Sequence, residues 1–188
     1  MYKKTKILDA ALLLFGENGI HATTTKSIAI QAGTSEGLIF KHFTDKKSLL
    51  LAVIEREEKR IHRTLNELES IEIPIKRLEA ILEWPKNNYQ TFNNFWNLYF
   101  SLRYGHHQLM PSFHQSSVFQ HFIEVTETSL RQMGFPNPGT EALTIWLTTT
   151  GYFVHADSLY PTQITSLLRH YQELYQKVFT HLHATHII

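Results

Sequence analysis

Cysteine is absent from the 188 residues, which excludes a disulfide scaffold, a zinc ribbon and any thiol nucleophile. Long apolar runs are missing too. The stretch Leu49 to Ile54 is among the longest, far short of the roughly 20 residues a helix needs to cross a bilayer. Catalytic signatures are lacking: there is no G-x-S-x-G, no H-E-x-x-H, no phosphate loop and no convincing acid/base pair. No internal repeat or low-complexity segment is evident. Net charge is nearly nil, with 18 Lys and Arg against 17 Asp and Glu, yet 43% of residues are hydrophobic, too many for a disordered chain. A chain of this size buries about two-thirds of its unfolded surface and folds without disulfides or a structural metal, as one domain or two small ones. Lys3, Lys4 and Lys6 precede the apolar stretch Ala10 to Phe15 as in a secretory leader, but Asp9 interrupts it and no small-residue cleavage site follows. The expectation is a soluble, cytoplasmic protein without a cofactor.

What is present is helical periodicity. Ile7, Ala10, Ala11, Leu14 and Phe15 form an i, i+3, i+4, i+7, i+8 stripe that closes at Gly16 or Gly19. Thr23-Thr24-Thr25 offers hydroxyl caps for a short helix over about Lys26 to Ala32, which Gly33 stops. Thr34 or Ser35 caps a second short helix through about Phe43, and Asp45 caps a long one over about Lys46 to Leu68. The run Glu55 to Arg60 reads as that helix's charged solvent face. Beyond it, Pro74, Pro85, Pro111, Pro138 and Pro161 each suit the first position of a new helix. The count comes to about nine helices and no strand, an all-α fold.

Charge is unevenly spread. Residues 1–50 carry seven Lys against four carboxylates, a net +3, and the remainder eleven bases against thirteen acids, a net −2. A positive end on a neutral body hints at a polyanion partner. In that end, two short helices meet at Gly33, which takes a positive φ without a Cβ penalty. Ala29 permits close packing, and Ile28, Ala32 and Ile39 form the shared apolar seam. Glu36, Gly37, Leu38 and Lys41 are left to face a major groove. Thr24, Thr25, Lys26, His42 and Lys46 have the chemistry of phosphate ligands, although the two threonines serve equally as caps and Lys41 as a solvated surface residue.

The block Ile28-Ala29, Ala32 to Gly37 and Phe40 to Leu49 resembles the TetR-type DNA-binding domain over roughly residues 5–54. The resemblance implies a helix-turn-helix, three-helix head (1–47), joined by a long helix to a helical ligand-binding and dimerisation domain (48–188). It implies phosphate contacts at Thr24, Thr25, Lys26, His42 and Lys46, base reading at Glu36, Gly37, Leu38 and Lys41, and interface positions at Ser35 and Phe40. Phe40 stands where the family usually has Tyr, so a phosphate bond through that phenol is lost. It is left as a packing residue or an apolar contact to a thymine methyl.

The body is rich in aromatics from Trp84 onward. The plain interpretation is core packing, but Asn93, Asn97, Arg103, His106, His107 and His121 are costly in a sealed core unless paired. Trp96, Tyr99, Phe100, Arg103, Phe122 and Trp146 are therefore expected to wall a cavity for a hydrophobic or aromatic effector. The last two helices, about Pro138 to Ser158 and Pro161 to His183, carry more apolar surface than one copy covers. Gly151 and the Thr148–Thr150 run would allow close helix approach, so a homodimer through a four-helix bundle is expected. Twelve histidines raise a metal site at His181, His183 and His186, at His106-His107, or at His155 with Asp157. With no thiolate and no Glu-x-x-His pair, solvated surface residues are the expectation.

The function expected is a dimeric, effector-responsive repressor of a palindromic operator, and not an enzyme. The competing reading is an all-helical enzyme or carrier with the cavity as its site, in which Glu124, Glu127 and Asp157 would have to act although they read as surface charges. A DNA-binding protein with no effector stays open as a third.

Overall fold

The computed structural model describes residues 2–105, 116–155 and 161–185, with the side chains at 2, 103–105, 155, 161–164, 167, 168, 171, 179 and 182–185 outside that description. The described residues form helices α1 (Tyr2–Ala22), α2 (Thr25–Gln31), α3 (Glu36–His42), α4 (Lys46–Glu69), α5 (Pro74–Gly105), α6 (Ser117–Gln132), α7 (Pro138–His155) and α8 (Pro161–Thr185). Among them there is no strand. Pro74, Pro138 and Pro161 open helices as their fixed φ suggests. Pro111 lies outside the described residues. Pro85 departs from expectation, because it sits inside α5 instead of opening a helix. An interior proline loses a hydrogen bond and costs about 3 kcal/mol. Here Leu78, Ile81, Leu82 and Trp84 before it and Phe92, Phe95 and Trp96 after it are all buried, and that burial keeps both halves helical.

The chain divides into two compact units, Met1–Arg60 with Thr91–Pro111, and Ile61–Gln90 with Ser112–Ile188. In the first, α1 packs on α2 and α3, with Ile7, Ala11, Phe15, Ile28, Ile39 and Leu49 buried. Gly19 breaks α1 at φ 75 and ψ 167. The Thr23 hydroxyl lies within hydrogen-bonding distance of the carbonyls of Leu14 (2.9 Å) and Gly19 (2.8 Å), so its one proton is shared between acceptors that the broken helix leaves open. α1 also approaches α5 so closely that a Cβ on Gly16 would lie 2.8 Å from the Asn94 carbonyl oxygen.

The expected solvent face of α4 is only partly so. Glu55 and Lys59 are exposed, but Glu57 is fully buried. Arg56 and Arg60 pair with its two oxygens at 2.8 and 2.6 Å, and Arg56 reaches Asp9 of α1 at 2.7 Å. Arg60 also lies 5.4 Å over the Phe92 ring, a cation–π contact that shields it further. Sequence periodicity cannot distinguish a charged residue facing water from one facing its own counter-ions.

In the second unit α6 packs on α7 and α7 on α8, around Ile61, Leu65, Phe122, Leu130, Ile145 and Trp146. Several of the polar groups placed there have partners far away in sequence. Trp84 Nε1 donates to Thr64 Oγ1 at 3.0 Å, Arg77 donates to the Ile71 carbonyl and to Gln132, and the Tyr175 hydroxyl meets Glu141 at 3.0 Å. Such pairing removes the desolvation cost of burying them.

Candidate nucleic-acid interface

The α2–α3 pair is built by three caps. Thr24 is the N-cap of α2: its Oγ1 accepts from Ser27 N at 3.0 Å while Ser27 Oγ accepts from Thr24 N at 3.1 Å, a reciprocal capping box. At the other end Gly33, with φ 62, donates to the Ile30 carbonyl (3.1 Å) and Thr34 N donates to the Ala29 carbonyl (2.9 Å). This is the Schellman closure that a left-handed glycine permits. Ser35 then caps α3, its Oγ accepting from Leu38 N at 3.3 Å. The expected seam closes, with Ile28, Ala32 and Ile39 all buried.

With the seam inward, the opposite face is presented to solvent. Thr24, Lys26, Ser35, Gly37, Phe40, Lys41 and His42 are exposed, while Thr25, Glu36, Leu38 and Lys46 are half-buried. Phe40 keeps 50% of its surface in water, so it is not a packing residue. Ile30 on α2 is 73% exposed, an apolar outlier that helical periodicity did not single out.

Two of the expected phosphate ligands have engaged side chains. Lys46 Nζ donates to the carbonyls of Ile20 (2.8 Å) and Thr23 (2.9 Å), a cation placed where the broken end of α1 presents unsatisfied acceptors. Thr25 Oγ1 donates to Glu36 Oε1 at 2.5 Å, tying the first residue of α2 to the first of α3. Asp45 and Ser48 cap α4 in the same reciprocal manner as Thr24 and Ser27, and those hydrogen bonds hold the Asp45 carboxyl below its ordinary range.

The residues expected around an effector fall into two groups. In the first unit Trp96, Tyr99 and Phe100 of α5 are in mutual ring contact, Trp96 lying 5.5 Å from Tyr99 and 5.8 Å from Phe100; the Arg103 side chain lies outside the described residues. In the second unit Phe122 meets Trp146 edge-on at 5.0 Å, and Phe119 meets it at 5.3 Å.

His121, expected to need a partner, has one. His62 Nδ1 and His121 Nδ1 are 2.8 Å apart with the ring planes 22° from parallel and centroids 5.1 Å apart. That centroid separation is about the N···N distance plus two ring radii. The rings therefore meet edge to edge through one N–H···N bond. His62 Nε2 lies 3.0 Å from Ser117 Oγ, and His121 Nε2 lies 3.8 Å from Glu69. Burial, and then the charge on His121, hold His62 below the usual imidazole range. Of the histidines raised as metal ligands, His181 is exposed on α8, and His106, His107, His183 and His186, with the side chain of His155, lie outside the described residues, as does Asp157. Among the described residues no group of three or more His, Asp or Glu is placed to hold a metal ion, and no helix is long and apolar enough to cross a membrane.

Residues 7–53 match the family described as bacterial regulatory proteins, tetR family. The chain is similar to the HTH-type transcriptional regulator UidR of Escherichia coli K12, at 32% identity over 80 residues, 42% of this chain and 41% of UidR. It is likewise similar to the HTH-type transcriptional repressor AcnR of Corynebacterium efficiens, at 33% identity over 83 residues, 44% of this chain and 42% of AcnR. Each match thus spans less than half of the relative. Among solved structures, AibR, crystallised in complex with isovaleryl coenzyme A and operator DNA, superposes with a TM-score of 0.65 over 88% of this chain and 96% of its own, at 17% identity. The matched block coincides with the α1–α3 head, its capped turn and the start of α4, and the helical fold beyond it recurs in that neighbour; residues 7–53 carry the domain described for the tetR family of bacterial regulatory proteins.

Proposed function

We propose that the chain is a homodimeric transcriptional repressor that binds a palindromic operator through α3 and releases it when a hydrophobic or aromatic effector enters the body. The observation that carries the DNA-binding part is the exposed row on α2 and α3: Thr24, Lys26, Gly37, Phe40, Lys41 and His42 share the solvent side of a turn whose other side is closed by the Ile28, Ala32 and Ile39 seam. A short helix presented this way fits the major groove, with hydroxyls, helix-start N–H groups and Lys beside it for phosphates. Functionally, residues 1–47 serve as the reading head and 48–188 as the responsive body.

Dimerisation is supported by the outward side of α7. Leu143, Leu147 and Val154 are 39%, 60% and 47% exposed, and Thr140, Thr144, Thr148 and Gly151 lie on the same stripe without a charged residue among them. A Cβ on Gly151 would meet nothing within 4 Å, so the surface there is open to a close neighbour. A second copy supplies a self-complementary cover, and in the dimer two reading helices meet half-sites spaced by about 34–36 Å or a multiple of it. The aromatic side chains of the body are the groups proposed to hold the effector. Its binding tilts α4 and changes the half-site spacing; a coupling of about 1–3 kcal/mol is enough to matter. AcnR's description as a repressor and AibR's capture with an acyl-coenzyme A and operator DNA support this reading by analogy.

The deciding experiment is selection of binding sites from a random duplex pool with the purified protein at physiological salt. Enrichment of an inverted repeat is the expected result. Recovery of no preferred sequence, with only weak salt-sensitive binding, overturns it; a monomer in sedimentation at micromolar concentration overturns the dimer alone.

A further inference from the structure

Two adjacent threonines begin α2, and they act differently. Thr24 is exposed and its Oγ1 accepts from Ser27 N, so its own hydroxyl proton is available for another acceptor. Thr25 is half-buried and donates its hydroxyl proton to Glu36 Oε1 at 2.5 Å. A hydroxyl has one proton, and a phosphate oxygen can only accept. While the bond to Glu36 persists, Thr25 Oγ1 therefore has nothing to offer a phosphate.

Resting on the DNA-binding reading above, we propose that Thr25 is a positioning residue for base recognition, holding the Glu36 carboxylate so that its second oxygen accepts from the N4 amino group of a cytosine. Glu36 stands in the first turn of α3, beside Gly37. Gly37 is exposed, and even a Cβ built on it would meet nothing within 4 Å, so no neighbouring side chain holds this turn away from a groove floor. An ionised carboxylate only accepts, and in the major groove only cytosine N4 and adenine N6 donate. Guanine presents two acceptors and thymine an acceptor and a methyl, so both are rejected. Adenine places its N7 acceptor next to N6, where it repels the carboxylate, and cytosine has no such acceptor. The carboxylate also repels the phosphates, so it contributes selectivity more than affinity. Fixing its rotamer in advance through Thr25 lowers the ordering cost of that reading.

The test uses the full-length protein, with site selection followed by anisotropy titrations on the selected duplex and its three single-base alternatives. For the unaltered chain we expect a cytosine at one position of each half-site, favoured about tenfold. Glu36→Gln moves the preference to adenine, since a Gln amide matches N6 and N7 together. Thr25→Val flattens the cytosine preference while leaving the dependence on salt unchanged, and Thr25→Ser restores it; thermal unfolding of each variant checks that the head stays folded. Uniform weakening on all four duplexes by Thr25→Val, with the salt slope falling by about one, makes Thr25 a phosphate ligand and overturns the proposal. So does an unchanged base ranking for Glu36→Gln. If the unaltered chain itself enriches no sequence, the DNA-binding reading falls first, and that outcome is distinct from either.

Discussion

The two units are stabilised over different ranges of sequence. Around α2 and α3, polar side chains act within a few residues: Thr24 with Ser27, Ser35 with Leu38, Asp45 with Ser48, and Gly33 closing back on Ile30. In the second unit they act over tens of residues, as in Trp84 with Thr64, Arg77 with Gln132, Tyr175 with Glu141 and Gln172 with Glu83. Local caps fix the path of a backbone, which suits a surface that must present a constant shape. Distant pairs fix the register of one helix against another, and they are what a shift between helices would have to break.

The first unit also holds contacts that span long stretches of sequence, and one of them should show the largest effect. Glu57 is fully buried between Arg56, itself bonded to Asp9, and Arg60. Removing one member of a buried ion pair leaves its partners uncompensated, so Glu57→Ala is expected to cost about 3 kcal/mol in urea unfolding. A loss below about 1 kcal/mol would mean that the two guanidiniums simply turn to water, and that this long-range contact matters no more than a surface pair.

Two glycines separate steric from conformational demands in the same unit. Gly16→Ala forces a Cβ against the Asn94 backbone, where neither side is a flexible tip, and about 2 kcal/mol is expected to be lost. Gly33→Ala meets open space but keeps φ 62, for a cost of about 1 kcal/mol. Equal melting temperatures for the two variants would refute the distinction.

Much of the head was legible in the sequence because its signals are local. The seam of Ile28, Ala32 and Ile39, the turn at Gly33 and the caps at Ser35 and Asp45 each depend on residues only a few positions apart. What was not legible required a partner from elsewhere. Nothing in the sequence near Lys46 indicates that its ammonium holds the Ile20 and Thr23 carbonyls, or near Thr25 that its hydroxyl reaches Glu36. Pro85 looked like a helix start because the rule for proline is local, and burial on both sides of it is not. In the body, the aromatic stripe signalled apolar packing, but the division of its members between two compact units depends on contacts that no periodicity encodes.

Lys46 tests whether a residue of the head can serve structure and DNA together. Two of its three donors hold carbonyls of the chain, which leaves one for a phosphate. Lys46→Met keeps the apolar stem and removes both bonds, with an expected loss of about 1–2 kcal/mol. If the third donor meets DNA, the variant also weakens binding to every duplex and lowers the salt slope by about one. A loss of stability with an unchanged slope would make Lys46 a purely structural cap.

The smallest expected effect belongs to the second unit and distinguishes its pairing from the caps of the head by pH. The His62–His121 contact exists only while at least one ring is neutral, since two imidazolium rings would face N–H to N–H across 2.8 Å. On the other side of the pair stand Ser117, 3.0 Å from His62, and Glu69, 3.8 Å from His121. His62 has its folded pKa lowered from 6.5 by burial and by His121. The unfolded chain therefore takes up its proton first, and stability is fully present above about 6.5 and declines as pH falls through that value toward the lower folded pKa. The titratable cap in the head is Asp45, whose carboxyl is held below its ordinary range and so acts only at far more acidic pH. Unfolding free energy measured from pH 7.5 to 5.5 should slope downward, and His62→Phe should flatten the slope. Retention of the full slope in that variant would assign the proton uptake to the other histidines and leave the His62–His121 contact without a role in it.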